Sequence, residues 1–97
     1  MSNVTVVYLG MIQRVAGTRQ ETVALDHAAT LGDLVRRLGE RHGPEFVERI
    51  LEGDRLAPLV TVLIDGGNCL TRGGPAAPLG GGEEIEVVLM GPPPSGG

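Results

Sequence analysis

The spacing of apolar residues along this chain predicts a small set of elements in a definite order. Residues 3–10, Asn3-Val4-Thr5-Val6-Val7-Tyr8-Leu9-Gly10, are rich in β-branched side chains and close with glycine, which predicts a strand. Val4, Val6 and Tyr8 share one face, and Thr5, Val7 and Leu9 share the other. Both faces are largely apolar, so the strand is expected to be central, covered on one side and adhesive on the other. Met11 to Gly17 read as a connection ending in the turn signal Gly17-Thr18. From Gln20 to Leu25 the residues alternate, Thr22 and Ala24 against Glu21, Val23 and Leu25. A second strand results, spaced to form an antiparallel hairpin with the first.

The period then changes. Leu31, Leu34, Val35 and Leu38 fall at i, i+3, i+4 and i+7, the apolar stripe of an amphipathic helix. Thr30 and Asp33 resemble a capping box, with Asp in place of the preferred Glu or Gln. Asp33, Arg36, Arg37 and Glu40 take the opposite face, and His42-Gly43-Pro44 stops the helix and permits another to begin. Glu45 to Glu52 predict that shorter helix, presenting Phe46, Val47, Ile50 and Leu51. Pro58 to Asp65 read as a buried strand, and Asp65-Gly66-Gly67-Asn68 as a tight hairpin into a short strand near Cys69-Leu70. Residues 71–82 read as a surface loop with Leu79 as its apolar anchor. Glu83 to Met90 predict a last strand with Ile85, Val87 and Leu89 inward and Glu84, Glu86, Val88 and Met90 outward. The expected architecture is α+β: a mixed sheet of about five strands packed on one main helix plus a short second helix. Residues 1–90 form one domain, and 91–97 are an extended flexible C-terminal tail.

Composition narrows the function classes. A chain of 97 residues with 41% hydrophobic and 21% charged content fits one soluble globular domain. Tyr8 and Phe46 are its only aromatics, so the core is aliphatic. The net charge is −4, and all eight cations are arginine, which argues against nucleic acid as a partner. No apolar run has the length of a membrane span and no signal-peptide pattern opens the chain, so no membrane association and a cytoplasmic location are expected.

Self-contained catalysis finds little support. Cys69 is the single cysteine, and neither His27 nor His42 has ligand spacing to it or to the other, so no metal is expected. Gly80-Gly81-Gly82 lacks the Lys-Ser/Thr of a phosphate loop and precedes a strand, which makes it a turn. Glu83, Glu84 and Glu86 could pair for acid–base work, but a solvated strand edge explains them.

The C-terminus carries a different kind of chemistry. The last strand runs directly into Gly91-Pro92-Pro93-Pro94-Ser95-Gly96-Gly97. Prolines hold φ near −65° and favour an extended path, and glycines without Cβ can thread a narrow channel. The terminal carboxylate is ionised at neutral pH and unreactive. Joined to AMP it becomes a mixed anhydride, open to displacement by sulfide or an amine inside a partner that excludes water. Read alone, the tail could equally be a disordered end.

Val6-Val7-Tyr8-Leu9 with Ala16-Gly17-Thr18, the helix start Thr30-Leu31-Gly32-Asp33-Leu34, the loop Gly73-Gly74-Pro75-Ala76-Ala77-Pro78-Leu79, and Pro92-Pro93 before Gly96-Gly97 together resemble the MoaD/ThiS family of ubiquitin-like sulfur carriers. The resemblance spans essentially the whole chain and is closest to MoaD, the small subunit of molybdopterin synthase. It implies a β-grasp fold and a route in which an E1-like adenylyltransferase of the MoeB/ThiF type spends ATP on Gly97, after which a sulfur source yields a thiocarboxylate. No cofactor is bound by the carrier itself. Carried onto this sequence, Gly97 bears the acyl-adenylate and then the sulfur, and Gly96 gives steric clearance. Leu9, Met90, Gly91, Pro92 and Pro93 contact partners, among them the MoaE-type large subunit or another sulfur acceptor. The implied role is that of a sulfur-donating subunit and not an enzyme on its own. Two departures bear on the acceptor: Gly91 stands where the family often has an aromatic, and Pro94 where a small aliphatic is usual. Carriers serving cysteine, thiamine or other sulfur metabolites, and a modifier forming amide bonds through Gly97, share the same tail chemistry. A non-covalent β-grasp interaction module is the remaining alternative.

Overall fold

A computed structural model describes residues 2–26 and 28–89. Strand β1 (Ser2–Gly10) is followed by a short helix α1 (Ile12–Ala16), strand β2 (Gln20–Leu25), the main helix α2 (Leu31–His42) and helix α3 (Pro44–Ile50). Then come a small hairpin β3 (Leu51–Glu52) and β4 (Arg55–Leu56), strands β5 (Val60–Ile64) and β6 (Gly67–Asn68), and two 3-10 turns at Cys69–Arg72 and Gly74–Ala76. Strand β7 (Glu84–Leu89) closes the described chain.

The main sheet has the order β2-β1-β7-β5-β6. β1 pairs antiparallel with β2, as the alternation of the two segments predicts, and parallel with β7. β7 pairs antiparallel with β5 on its other side. The sheet is therefore mixed, and one face packs on α2. Val4, Val6 and Tyr8 from β1, Val23 and Leu25 from β2, Val62 and Ile64 from β5, and Ile85, Val87 and Leu89 from β7 meet Leu31, Leu34, Val35 and Leu38 there. Strict alternation puts the partners of those residues on the opposite, open face.

The capping box forms in full despite its Asp. The Asp33 N–H donates to Thr30 Oγ1 at 3.1 Å, and the Thr30 N–H donates to Asp33 Oδ2 at 2.9 Å. The N-cap backbone is extended, as is usual at a helix start.

Several expectations need correction. Met11 to Gly17 hold a helix, α1, which buries Ile12 and Ala16 and ends at Gly17 with φ 75°. A single helical turn carries too little period to be read from sequence. The second helix ends at Ile50, and Leu51–Glu52 turn into strand β3. Strand β5 is buried on one face only: Val62 and Ile64 are inside, Leu63 is half-buried, and Leu59 stands 60% exposed before the strand with φ 72°. The hairpin strand expected near Cys69-Leu70 forms at Gly67–Asn68 and ends there, because Asn68 caps a 3-10 turn through its side chain, 3.0 Å from the Leu70 N–H. Residues 71–82 are held by more than Leu79. Ala77 is fully buried, its carbonyl accepts from the Leu31 N–H at 2.9 Å, and the Leu79 N–H donates to Ala29 at 2.9 Å.

Replacing Thr30 with Ala removes one half of the capping box while leaving the buried stripe of α2 untouched. The expected loss is about 1 kcal/mol, a fall in Tm of roughly 4–8 °C for a domain of this size. Thermal unfolding followed by circular dichroism measures it, and an unchanged Tm would show that the cap contributes nothing.

Candidate functional site

β7 reaches the edge of the described chain from the middle of the sheet. Leu89, its last residue, lies opposite Gly10 of β1 and Val60 of β5. Its carbonyl accepts from the Met11 N–H at 2.7 Å, so the strand is held to its final residue. The open face beside this end is built row by row from the register. Leu9, Val88 and Thr61 form the row nearest the end, and Val7, Glu86 and Leu63 the next. Leu9 is 38% exposed, Thr61 is exposed, and the other four are half-buried. The hydroxyl and carboxylate here interrupt a patch that is otherwise aliphatic.

Leu9 lies on uncovered sheet next to β7. Met90, Gly91, Pro92, Pro93, Gly96 and Gly97 lie outside the described residues. Val88 follows from the alternation of the last strand. Leu63 was not legible, because a run of six consecutive apolar or β-branched residues from Leu59 to Ile64 hides which of them face outward.

The other polar groups serve the fold. Glu83 turns its carboxylate onto the glycine turn, accepting from the Gly80 N–H at 2.7 Å and the Gly81 N–H at 2.6 Å. Any Cβ at Gly81, where φ is 106°, would overlap Ser2. Glu84 and Glu86 are not on a sheet edge, contrary to the sequence reading, since β7 lies between β1 and β5. The Cys69 thiol is buried, and burial pushes its pKa up, which keeps it protonated and unreactive. Among the described residues no group of three His, Cys, Asp or Glu side chains could hold a metal ion, and no helix is long and apolar enough to cross a membrane. His27 lies outside the described residues.

His42 is largely buried at the end of α2. Its Nε2 lies 2.6 Å from Glu21 Oε2, and its ring packs 5.1 Å from that of Phe46. The same Glu21 oxygen accepts from the Tyr8 hydroxyl at 2.6 Å, while Oε1 accepts from Arg41 Nη1 at 2.9 Å. One carboxylate therefore ties the C-terminal end of α2 to β1 and β2. Burial pushes the Glu21 carboxyl up, but the hydrogen bonds from Tyr8, His42 and Arg41 outweigh it and hold the group below its ordinary range. Burial and the adjacent Glu21 raise the Tyr8 hydroxyl far above its ordinary value, so it remains a donor. Nothing in this cluster opens onto a cleft with a second reactive group.

No family model matches the sequence, and no curated protein matches it. Solved structures do. The crystal structure of SAMP1 from Haloferax volcanii is 27% identical, with a TM-score of 0.75 over 99% of this chain and 100% of that one. A Pyrococcus furiosus protein assigned as molybdopterin converting factor subunit 1 is 20% identical, with a TM-score of 0.73 over 94% of this chain and 100% of that one. The Amycolatopsis orientalis BexX/CysO complex contributes a chain 18% identical, with a TM-score of 0.76 over 94% of this chain and 99% of that one. The last two likenesses are of fold. In its fold this chain belongs among the ubiquitin-like β-grasp proteins that include sulfur carriers of the MoaD/ThiS type.

The Glu21 cluster makes stability depend on acid. Its folded pKa is depressed, so its contribution is complete above the ordinary glutamate value of 4.5 and is lost as pH falls through the lower folded value. Between pH 7 and pH 3, wild type should lose more Tm than Glu21→Gln, which starts lower and has a flatter acid limb. Parallel pH profiles would show that Glu21 does not carry the effect.

Proposed function

We propose that this chain is a sulfur carrier whose Gly97 carboxylate is adenylated by a partner enzyme and converted to a thiocarboxylate, and that it serves as the small subunit of a molybdopterin synthase. The observation that carries the reading is the uncovered aliphatic face at Leu9 and Val88, beside the central strand that leads to Gly96-Gly97. An exposed patch of this kind on a small domain is a surface for a partner. Its position lets one partner hold the sheet and receive the chain end together.

The chemistry has three parts. The adenylating partner binds ATP, and the Gly97 carboxylate attacks it to give acyl-AMP and pyrophosphate. A sulfide-equivalent nucleophile then attacks the acyl carbon and expels AMP, leaving the thiocarboxylate. The loaded carrier moves to an acceptor enzyme, where the C–S bond breaks and the carboxylate is regenerated by water. In this scheme Met90, Gly91, Pro92 and Pro93 line the path between docking face and reacting carbon, and Gly96 passes the channel because it lacks a Cβ. The carrier binds no cofactor, acts in the cytoplasm and needs neither membrane nor nucleic acid.

Support for molybdopterin as the destination comes from the MoaD-like features of the sequence and the fold shared with the molybdopterin converting factor subunit. A second reading, amide bond formation through Gly97, is favoured by the likeness to a small archaeal modifier protein. It uses the same acyl-adenylate with an amine as nucleophile. The CysO likeness supports a carrier for another sulfur acceptor.

Intact mass after incubation with an E1-like enzyme of the MoeB type, ATP and sulfide tests the carrier step. The exchange of oxygen for sulfur adds about 16 Da, and deletion of Gly97 abolishes the gain. An unchanged mass in wild type, or the same gain without Gly97, overturns the proposal. Amide-linked adducts in place of sulfur transfer select the modifier reading, and sulfur delivery to a molybdopterin synthase large subunit selects the first.

The docking face has its own test. Leu9→Asp should leave Tm nearly unchanged, as surface substitutions do. It should lower kcat/KM for thiocarboxylate formation by about tenfold or more, because a buried leucine contact is worth at least that factor. Undiminished turnover would remove Leu9 from the interface.

A further inference from the structure

The first half of β5 has no strand on its outer side, because β6 pairs only with Leu63 and Ile64. The two 3-10 turns stand there instead, and a groove of about 480 Å³ lies between them and the β4–β5 connection. Leu56, Pro58, Leu59, Leu70 and Pro75 give it aliphatic walls. Leu59 and Leu70 are 60% and 65% exposed, more than any other large apolar side chain among the described residues.

Leu59 is held outward against two costs. The Val60 N–H donates to the Ala57 carbonyl at 3.3 Å, closing a turn with Pro58 second and Leu59 third. Its φ of 72° is the value that the third position of a type II turn gives to glycine. A glycine there would remove both the backbone strain and the exposed apolar surface. Leucine keeps both, which marks its side chain as an anchor for something outside the domain.

The rim carries charge of both signs. Asp54, in the turn of the small hairpin, and Arg55 beside it line the same groove, and both are exposed. Neither makes an ion pair among the described residues, and Glu52, across the hairpin from Arg55, lies beyond ion-pair distance.

An isologous contact between two copies requires one patch to supply both members of every pair it makes. This patch has leucines that project beside a groove able to take them, and an acid beside a base. A two-fold axis through it sets Leu59 of each copy in the groove of the other, and Asp54 of each against Arg55 of the other. A different protein would need only one member of each pair, so the doubling favours a second copy. Size sets the strength. The exposed parts of Pro58, Leu59 and Leu70 offer roughly a few hundred Å² per copy, short of the roughly 800 Å² that a stable interface takes from each side. The contact is therefore weak and forms at high concentration.

We propose that this groove is a self-association site, through which two copies of the chain pair weakly about a two-fold axis by exchanging Leu59 and matching Asp54 with Arg55. The contact uses neither Leu9 nor Val88, and it does not rest on the chemistry proposed for Gly97.

Sedimentation equilibrium and backbone amide shifts of the full chain, from about 20 µM to about 2 mM, test it. A dimer with a Kd of roughly 0.1–1 mM is expected, with concentration-dependent shifts at residues 54–60 and 70–75. Leu59→Gly suits the turn, so its Tm should stay within about 4 °C of wild type. The same variant should weaken association at least about tenfold. Asp54→Arg should weaken it at least about threefold. Adding Arg55→Asp to that variant exchanges the two charges and should restore the wild-type Kd. A chain that stays monomeric to about 2 mM leaves the groove to a different protein and overturns the proposal. Dimers left intact by a folded Leu59→Gly, shifts confined to the face around Leu9, an Asp54→Arg variant that associates like wild type, or a double exchange that restores nothing would each overturn it too.

Discussion

The pairing of β7 between β1 and β5 is the constraint from which the rest of the structure follows. Parallel to one neighbour and antiparallel to the other, β7 is satisfied along both edges, so its residues can only differ by face. Ile85, Val87 and Leu89 turn toward α2 and complete the core, while Glu86 and Val88 are left on the open side. That division also fixes Val7 and Leu9, which share rows with them. A shift of one residue in this register would bury Glu86 and expose Val87, exchanging a packed core for an unpaired buried charge. The open face and the core are thus two outcomes of one alignment.

The fold was largely legible where the period was long and one face was consistently apolar. The α2 stripe from Leu31 to Leu38, the β1–β2 alternation and the inward set of β7 all stand as read. What failed was short or doubly apolar. Helix α1 spans five residues and shows no period, yet Ile12 and Ala16 anchor it by burial. The hairpin at Leu51–Leu56 forms because α3 stops after Ile50, a choice made by tertiary packing that no local signal announces. Continuous apolar runs such as Leu59–Ile64 predict burial on both sides, whereas the sheet covers only one.

Of the candidate site, the scaffold was readable and the polar detail was not. Leu9 could be placed from alternation alone. The convergence of Tyr8, Glu21, Arg41 and His42 could not, since these residues come from three elements and meet only when α2 lies across the hairpin. In sequence, His42 looks like a residue near a helix stop and Glu21 like an exposed strand position. Together they form a network that leaves no buried side-chain atom unpaired among the described residues, which fixes how far α2 extends along β2 and leaves Arg41 reaching over the Thr22 carbonyl.

The hydrogen bond from Met11 to the Leu89 carbonyl has a mechanical meaning. Any pull on the chain beyond Leu89 is directed along a strand gripped on both sides to its last residue. Such a load is borne in shear by many hydrogen bonds at once and does not peel them one at a time. The described end of β7 is therefore anchored against a pull along its own axis.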